Sequence, residues 1–355
     1  MNANLLLLLP HEWILKFFKE NDEKLLEALC RCGIEISNIT ILDDEAKLLS
    51  RVDYYFQQNT VFVGSLRNQN AVFSAISNKY GTQPRTHSLG FLWSNVQRNC
   101  IFFDANNLNL DILDDFVISY SFFPNCIRQS FRVFGLENDT IKRFLAQYNK
   151  YPQIHYSVYT NYLDSQIHLF TDKDFVNSNS YKVFMQSVHE ILEDYVYCGD
   201  SDSSLSKVLA EILQIRGKNL VVCDCLLDGL LIEKFEKNRD IKKFMVGNFV
   251  VCGKEDYADV LDFEPSYIAN VDIKSSEMSY EICAKLVANS PNCVVLCLSG
   301  SIENPLIAVG DSDEIHVLKA KYMLNQKPST WLLTFDCYFK LIKKLNKKLL
   351  SFYER

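Results

Sequence analysis

The sequence predicts an α/β protein: two doubly wound α/β domains joined by a small α+β module. Three observations lead there. Short continuous apolar runs, such as the one over residues 4–9, read as strands buried on both faces of a parallel sheet. Helical patterns with one apolar side alternate with them. The texture changes at Phe122-Phe123-Pro124, and a Ser/Asp/Gly-rich stretch, Cys198–Ser204, reads as a linker. The expected domains are therefore 1–121, 122–198 and 199–355.

In the first domain the run over 4–9 is followed by a helix with Leu25, Leu26, Leu29 and Cys30 on one side, stopped by Gly33. Ile34–Leu42 is a second strand, Asp43–Phe56 a helix capped by Asp43 or Asp44, Thr60–Gly64 a strand and Asn70–Tyr80 a helix. Cys100–Phe103 and Leu110–Ser119 add a strand and a helix. The middle module reads as strand Ser130–Phe134, helix Thr140–Tyr148, half-exposed strands His155–Thr160 and Gln166–Phe170, and helix Tyr181–Tyr195.

In the last domain a helix from Leu205 ends at Gly217. There follow strand Asn219–Cys223, helix Asp228–Lys237, strand Gly247–Cys252, helix Ser276–Ala288 capped by Ser275, and strands Cys293–Leu298 and Ile315–Ala320. The final helix carries an apolar stripe of Trp331, Phe335, Tyr338, Ile342, Leu345, Leu349 and Phe352. Lys340, Lys343, Lys344, Lys347 and Lys348 flank it as a solvated face, and its heptad-like spacing allows a dimer seam.

Composition narrows the function. There are 37 basic and 44 acidic side chains, a formal net charge of −7. Nucleic-acid binding draws its affinity from cations that neutralise phosphates, so no nucleic-acid partner is expected. No run reaches the ~18–20 apolar residues of a membrane span. The five leucines Leu5–Leu9 follow no basic segment and run into Pro10-His11-Glu12, so a membrane span and a signal peptide are not expected and the chain reads as cytoplasmic. Twelve glycines in 355 residues is about half the usual share, which leaves few loops able to wrap phosphates.

The twelve cysteines lack the C-x₂-C pairs of common zinc sites, and the six histidines lack a His-x₃-His pair. No metal and no cofactor are expected. Cys223-x-Cys225 and Cys293-x₃-Cys297 read as reduced thiols acting as small hydrophobes.

Residues 25–49, Phe131-Arg-Val-Phe-Gly-Leu-Glu137, and Ser204–Gly217 with Cys223-Asp-Cys-Leu-Leu-Asp-Gly-Leu-Leu231 follow one another along the chain. In their order and residues they are similar to the CinA (competence/damage-inducible protein A) family, whose members join a molybdopterin-binding-like domain, a small KH-like domain and a nicotinamide-nucleotide amidohydrolase domain. The resemblance spans nearly the whole chain and implies candidate sites. The family's Glu-Ser-Cys-Thr-Gly-Gly turn, with its nucleophilic serine, corresponds to Asp224-Cys225-Leu226-Leu227-Asp228-Gly229, which places Cys225 at the serine and a carboxylate at one glycine. The family's supporting lysine corresponds to Tyr257, with Lys254 the local substitute. Its Thr-Gly-Ile-Ala-Gly-Pro loop corresponds to Ser299-Gly300-Ser301-Ile302-Glu303-Asn304-Pro305.

In the first domain the family's Gly-Thr-Glu keeps only Glu12, and its Gly-Gly-Leu-Gly-Pro-Thr-x-Asp-Asp loop reads Gly64-Ser65-Leu66-Arg67-Asn68-Gln69-Asn70. Cys225 and Lys254 are thus the candidate catalytic pair. Ser299, Gly300, Ser301, Glu12, Gly64 and Ser65 are the candidate substrate-binding residues. The motif losses imply a catalytically impaired protein acting by binding a small nucleotide or by forming a homodimer. The alternative they imply is a nicotinamide mononucleotide deamidase with Cys225 as nucleophile.

Overall fold

The computed structural model describes residues 2–9, 11–42, 54, 59–81, 85–87, 90–94, 99–113, 126–199, 203–320 and 330–353. All of the expected helix over 43–56 except Tyr54, which is helical, and most of the one over 110–119 lie outside them. The described elements confirm the α/β class. The chain divides into two compact units: residues 1–130, 137–161 and 165–194 in one, and residues 131–136, 162–164 and 195–355 in the other.

The first unit opens with β1 (Asn2–Leu8), α1 (His11–Arg31), β2 (Glu35–Leu42), β3 (Asn59–Gly64) and α2 (Leu66–Tyr80). Strands β4 (Arg85–His87), β5 (Gly90–Ser94) and β6 (Asn99–Asp104) complete a six-stranded sheet, β2-β1-β3-β6-β5-β4. Its first four strands are parallel, whereas β5 and β4 run antiparallel. Alternation in the leucine run fills both faces, as a buried parallel strand requires. Leu5, Leu7 and Leu9 pack with Phe17, Leu25 and Leu29 of α1, while Leu6 and Leu8 pack with Val72 and Ile76 of α2. The antiparallel β5 was not foreseen, and Gly90 shows how closely it sits: a Cβ there would lie 2.1 Å from the Phe102 carbonyl oxygen.

The next elements are β7 (Cys126–Phe134), α3 (Asn138–Tyr148), β8 (Ile154–Asn161), β9 (Asp164–Asp172), α4 (Lys173–Val176), α5 (Asn179–Leu192) and β10 (Val196–Cys198), with sheet order β10-β7-β9-β8. The alternation of polar residues in 166–170 suggested a half-exposed strand, but β9 is buried from Asp164 to Thr171. Most of its polar side chains tolerate burial because they have partners, Thr171 Oγ1 being the exception. Gln166 bonds Glu27, and His168, fully buried, shares hydrogen bonds with Ser130 Oγ (2.8 Å) and Gln166 Oε1 (3.3 Å).

The last unit contains α6 (Leu205–Arg216), β11 (Asn219–Asp224), α7 (Leu230–Lys237), α8 (Arg239–Lys242), β12 (Met245–Val250), α9 (Lys254–Asp259), α10 (Pro265–Asn270) and α11 (Ser276–Asn289). Strands β13 (Cys293–Gly300), β14 (Pro305–Gly310) and β15 (Ile315–Lys319) precede α12 (Thr330–Tyr353). The sheet order is β12-β11-β13-β14-β15, parallel up to β13 and antiparallel beyond it. Gly217 ends α6 with a φ of 60°, and Ser275 caps α11 by accepting the Met278 N–H, both as the sequence suggested.

The stripe on α12 is part of this unit's own core: Tyr338, Ile342 and Leu345 are buried with Leu209, Leu220 and Leu296. The lysine face needs correcting. Lys340 and Lys344 are buried, not solvated. Lys340 pairs with Asp336 (2.9 Å) and donates to the Lys319 carbonyl, and Lys344 reaches Asp311 (3.3 Å) and Glu314 (2.9 Å). Long stems let these lysines cross apolar packing to reach acceptors, which helical spacing does not reveal. Among the described residues no helix is long and apolar enough to cross a membrane.

The buried thiols give the fold an alkaline weakness. Burial pushes Cys30 and Cys283 up from 9.0 to about 12, and Cys100 and Cys337 well above their ordinary value. Above about pH 9 the unfolded chain loses these protons while the folded chain keeps them. Stability present below that pH should then fall as pH rises toward 12, by about 1.4 kcal/mol per pH unit for each fully ionised thiol. Denaturant titrations at about pH 8 and about pH 10.5 check this, and equal midpoints would contradict it.

Candidate active site at the end of β11

β11 ends in Asp224, and the chain then turns through residues 225–229 into α7. The turn holds two consecutive left-handed residues, Asp228 (φ 51°) and Gly229 (φ 88°). The backbone thus keeps a glycine-type conformation where the sequence now has an aspartate, one of the residue types that tolerates it best.

Asp224 organises the turn. Its carboxylate is fully buried and accepts four backbone N–H groups: Leu226 (3.1 Å) and Leu227 (2.8 Å) on Oδ1, Gly229 (3.0 Å) and Leu231 (3.1 Å) on Oδ2. Such N–H groups, gathered where a turn leads into a helix, are what an anion would seek. Here an internal carboxylate already holds them.

Cys225 sits half-buried at the start of this turn, its N–H bonded to the Leu298 carbonyl at 2.8 Å. Two more sulfurs meet it. Cys223 lies two residues earlier, inside β11, with its Sγ 3.5 Å from that of Cys225. Cys297 is the direct register partner of Cys223 on the adjacent parallel strand β13. All three sulfurs lie within 4.8 Å of one another. Tyr257, which α9 turns inward to 4% exposure, donates its hydroxyl to Cys225. Hydrogen bonds from Cys223, Cys297 and Tyr257 favour a thiolate on Cys225 and lower its pKa, against burial and the charge of Asp224. The same sharing, together with burial, pushes Cys223 and Cys297 up. The cluster favours one thiolate shared by three sulfurs.

The other candidates are placed as follows. Lys254 is exposed in the first turn of α9, and it is Tyr257 that reaches the thiol. Ser299 is fully buried at the end of β13, with its hydroxyl 2.7 Å from that of Ser279. Gly300 has a φ of 88°, and a Cβ there would lie 2.4 Å from the Asn304 carbonyl oxygen. Ser301 and Asn304 exchange backbone hydrogen bonds, and Ser301 Oγ accepts the Asn304 N–H. The stretch expected to cradle a phosphate is thus the tight hairpin between β13 and β14. Because Cys225 bonds Leu298, this hairpin and the thiol turn share one end of the sheet.

In the other unit Gly64 ends β3, and a Cβ there would approach Asn68 and Leu8 at 3.1 Å. Ser65 caps α2 in a reciprocal box with Asn68, so its hydroxyl and N–H are used locally. Glu12 stands in the first turn of α1, and its side chain lies outside the described residues.

Sequence reasoning picked out Cys225 and missed its partners. Cys223 and Cys297 read as small hydrophobes and Tyr257 as a lost lysine. The available signal was a Cys-x-Cys at a strand end together with a cysteine on the neighbouring strand.

No protein-family model matches the chain, and no curated protein does. Among solved structures it is similar to a competence-damaged protein (CinA) superfamily protein from Klebsiella pneumoniae, at 15% identity and a TM-score of 0.36 over 40% of this chain and 96% of that one. A CinA superfamily protein from Enterobacter cloacae shows 14% identity and a TM-score of 0.35, over 40% of this chain and 92% of that one. The competence/damage inducible protein CihA from Agrobacterium tumefaciens shows 10% identity and a TM-score of 0.35, over 40% of this chain and 93% of that one.

Proposed function

We propose that this chain is a divergent CinA-like protein, arranged as domains 1–121, 122–198 and 199–355, that acts by binding and does not hydrolyse nicotinamide nucleotides. One observation carries the reading: the four N–H groups at the β11–α7 turn are held by the Asp224 carboxylate. An anionic substrate would have to displace a buried, fully bonded acceptor, which a phosphate in water has little driving force to do. The hairpin at Ser299–Asn304 supports it, because its polar groups bond one another. Cys225 itself is engaged by two thiols and a phenol, and among the described residues no histidine or lysine is bonded to it to carry a proton to a leaving amine.

The partner on this reading is a small nucleotide bound elsewhere or a second copy of the chain. A homodimer seam would avoid the buried Tyr338, Ile342 and Leu345 of the α12 stripe and could use the stripe's first residue, Trp331, which is 47% exposed.

Incubating the purified protein with nicotinamide mononucleotide and measuring released ammonia tests the proposal. No turnover is expected across pH and divalent metals. Turnover abolished by Cys225→Ala would instead establish the deamidase with Cys225 as nucleophile.

A further inference from the structure

Cys223, Cys225 and Cys297 have the donor chemistry and spacing of a metal centre. Cys223 lies in β11 and Cys225 just past that strand's end, and register places Cys297 directly opposite Cys223. A zinc ion with Zn–S bonds of about 2.3 Å needs tetrahedral sulfurs about 3.8 Å apart. The Cys223–Cys225 separation is 3.5 Å, and the whole set falls within 4.8 Å. Among the described residues this is the one group of three or more His, Cys, Asp or Glu side chains that could hold a metal ion.

We propose that these three cysteines form a thiolate site for Zn²⁺, with an oxygen in the fourth position. Two oxygen donors are at hand: the Tyr257 hydroxyl, already bonded to Cys225, and water, which reaches the half-buried Cys225. Binding forms three Zn–S bonds and releases the thiol protons to solvent. Charge favours a dication. Three thiolates beside the buried Asp224 carboxylate concentrate negative charge, and Zn²⁺ offsets two of those charges where Cu⁺ would offset one. The acidic surroundings that suit a nucleophilic thiol poorly suit a cation well. The inference goes beyond the binding function proposed above and does not require it, since its readout is independent of turnover.

The test uses the full chain, reduced and stripped of metal, titrated with Co²⁺ as the spectroscopic probe and then with Zn²⁺. One equivalent of Co²⁺ should give a sulfur-to-metal charge-transfer band and strong tetrahedral d–d bands, both erased by Zn²⁺. Losing an outer-shell partner costs 10–100-fold in affinity, so losing a sulfur ligand in Cys225→Ser should weaken binding by more than about 100-fold. Cys225 is half-buried, so this variant tests the site with less risk to folding than Cys223→Ser or Cys297→Ser. Cys252→Ser, at an exposed cysteine outside the cluster, should bind as the parent does. A weak octahedral spectrum without charge transfer would overturn the proposal. So would a Co²⁺ spectrum unchanged in Cys225→Ser.

Discussion

Replacing Lys344 with alanine should destabilise the C-terminal unit by about 3–5 kcal/mol, the usual cost of removing one member of a buried ion pair. Lys344 is buried and its ammonium meets Asp311, Glu314 and the Glu314 carbonyl. Without it the Asp311 carboxylate, only 7% exposed, loses its ion-pair partner. Glu314 is exposed and loses much less, because water screens it. The double variant Lys344→Leu with Asp311→Leu should recover most of the loss, since an apolar pair of similar bulk avoids the stranded charge. Denaturant titration of the single and double variants decides the matter. A loss below about 1 kcal/mol in Lys344→Ala would mean the lysine behaves as a surface residue after all.

Asp224→Ala should cost a similar amount, about 3–5 kcal/mol, for a different reason. The aspartate is the common acceptor of four backbone donors, and hydrogen bonds to a charged group contribute more than neutral ones. Alanine leaves those donors facing the space the carboxylate filled. Asn at this position keeps one oxygen and turns an amide N–H₂ against donors, so it should rescue little. The same variant also probes the functional proposal. With the N–H groups released, inorganic phosphate should raise the melting temperature of Asp224→Ala while leaving the parent unchanged. Equal phosphate effects on both proteins would show that the carboxylate was not what excluded the anion.

Much of the architecture was legible because burial imposes simple patterns. The run over residues 4–9 could only be a strand covered on both faces, and Gly33, Gly217 and Ser275 marked helix ends by their special chemistry. Of the antiparallel strands, β5 and β14 escaped for a physical reason. β5 rests on the approach of Gly90 to the Phe102 backbone, and β14 (Pro305–Gly310) is a short apolar run that periodicity alone does not assign to a strand. Strand β9 was misjudged because polar side chains with buried partners look identical, in sequence, to polar side chains in water. Cys225 was visible through its place between strand and helix. Its connection to Cys297 was not, because 72 residues separate them and register is a property of the folded sheet.

The alternation along β11 and β13 sorts residues between the two layers of the C-terminal unit. Val222, Leu296 and Leu298 face one side with α12, while Cys223 and Cys297 face the other with Cys283 of α11 and Cys293. One layer is mostly hydrocarbon and the other is rich in sulfur. Oxygen chemistry converts a thiol into a larger, polar acid and leaves a leucine untouched. Of the thiols on that side Cys225, half-buried and held toward the thiolate, is the one open to oxidant, so oxidation should enter this unit from the sulfur side while the packing under α12 endures.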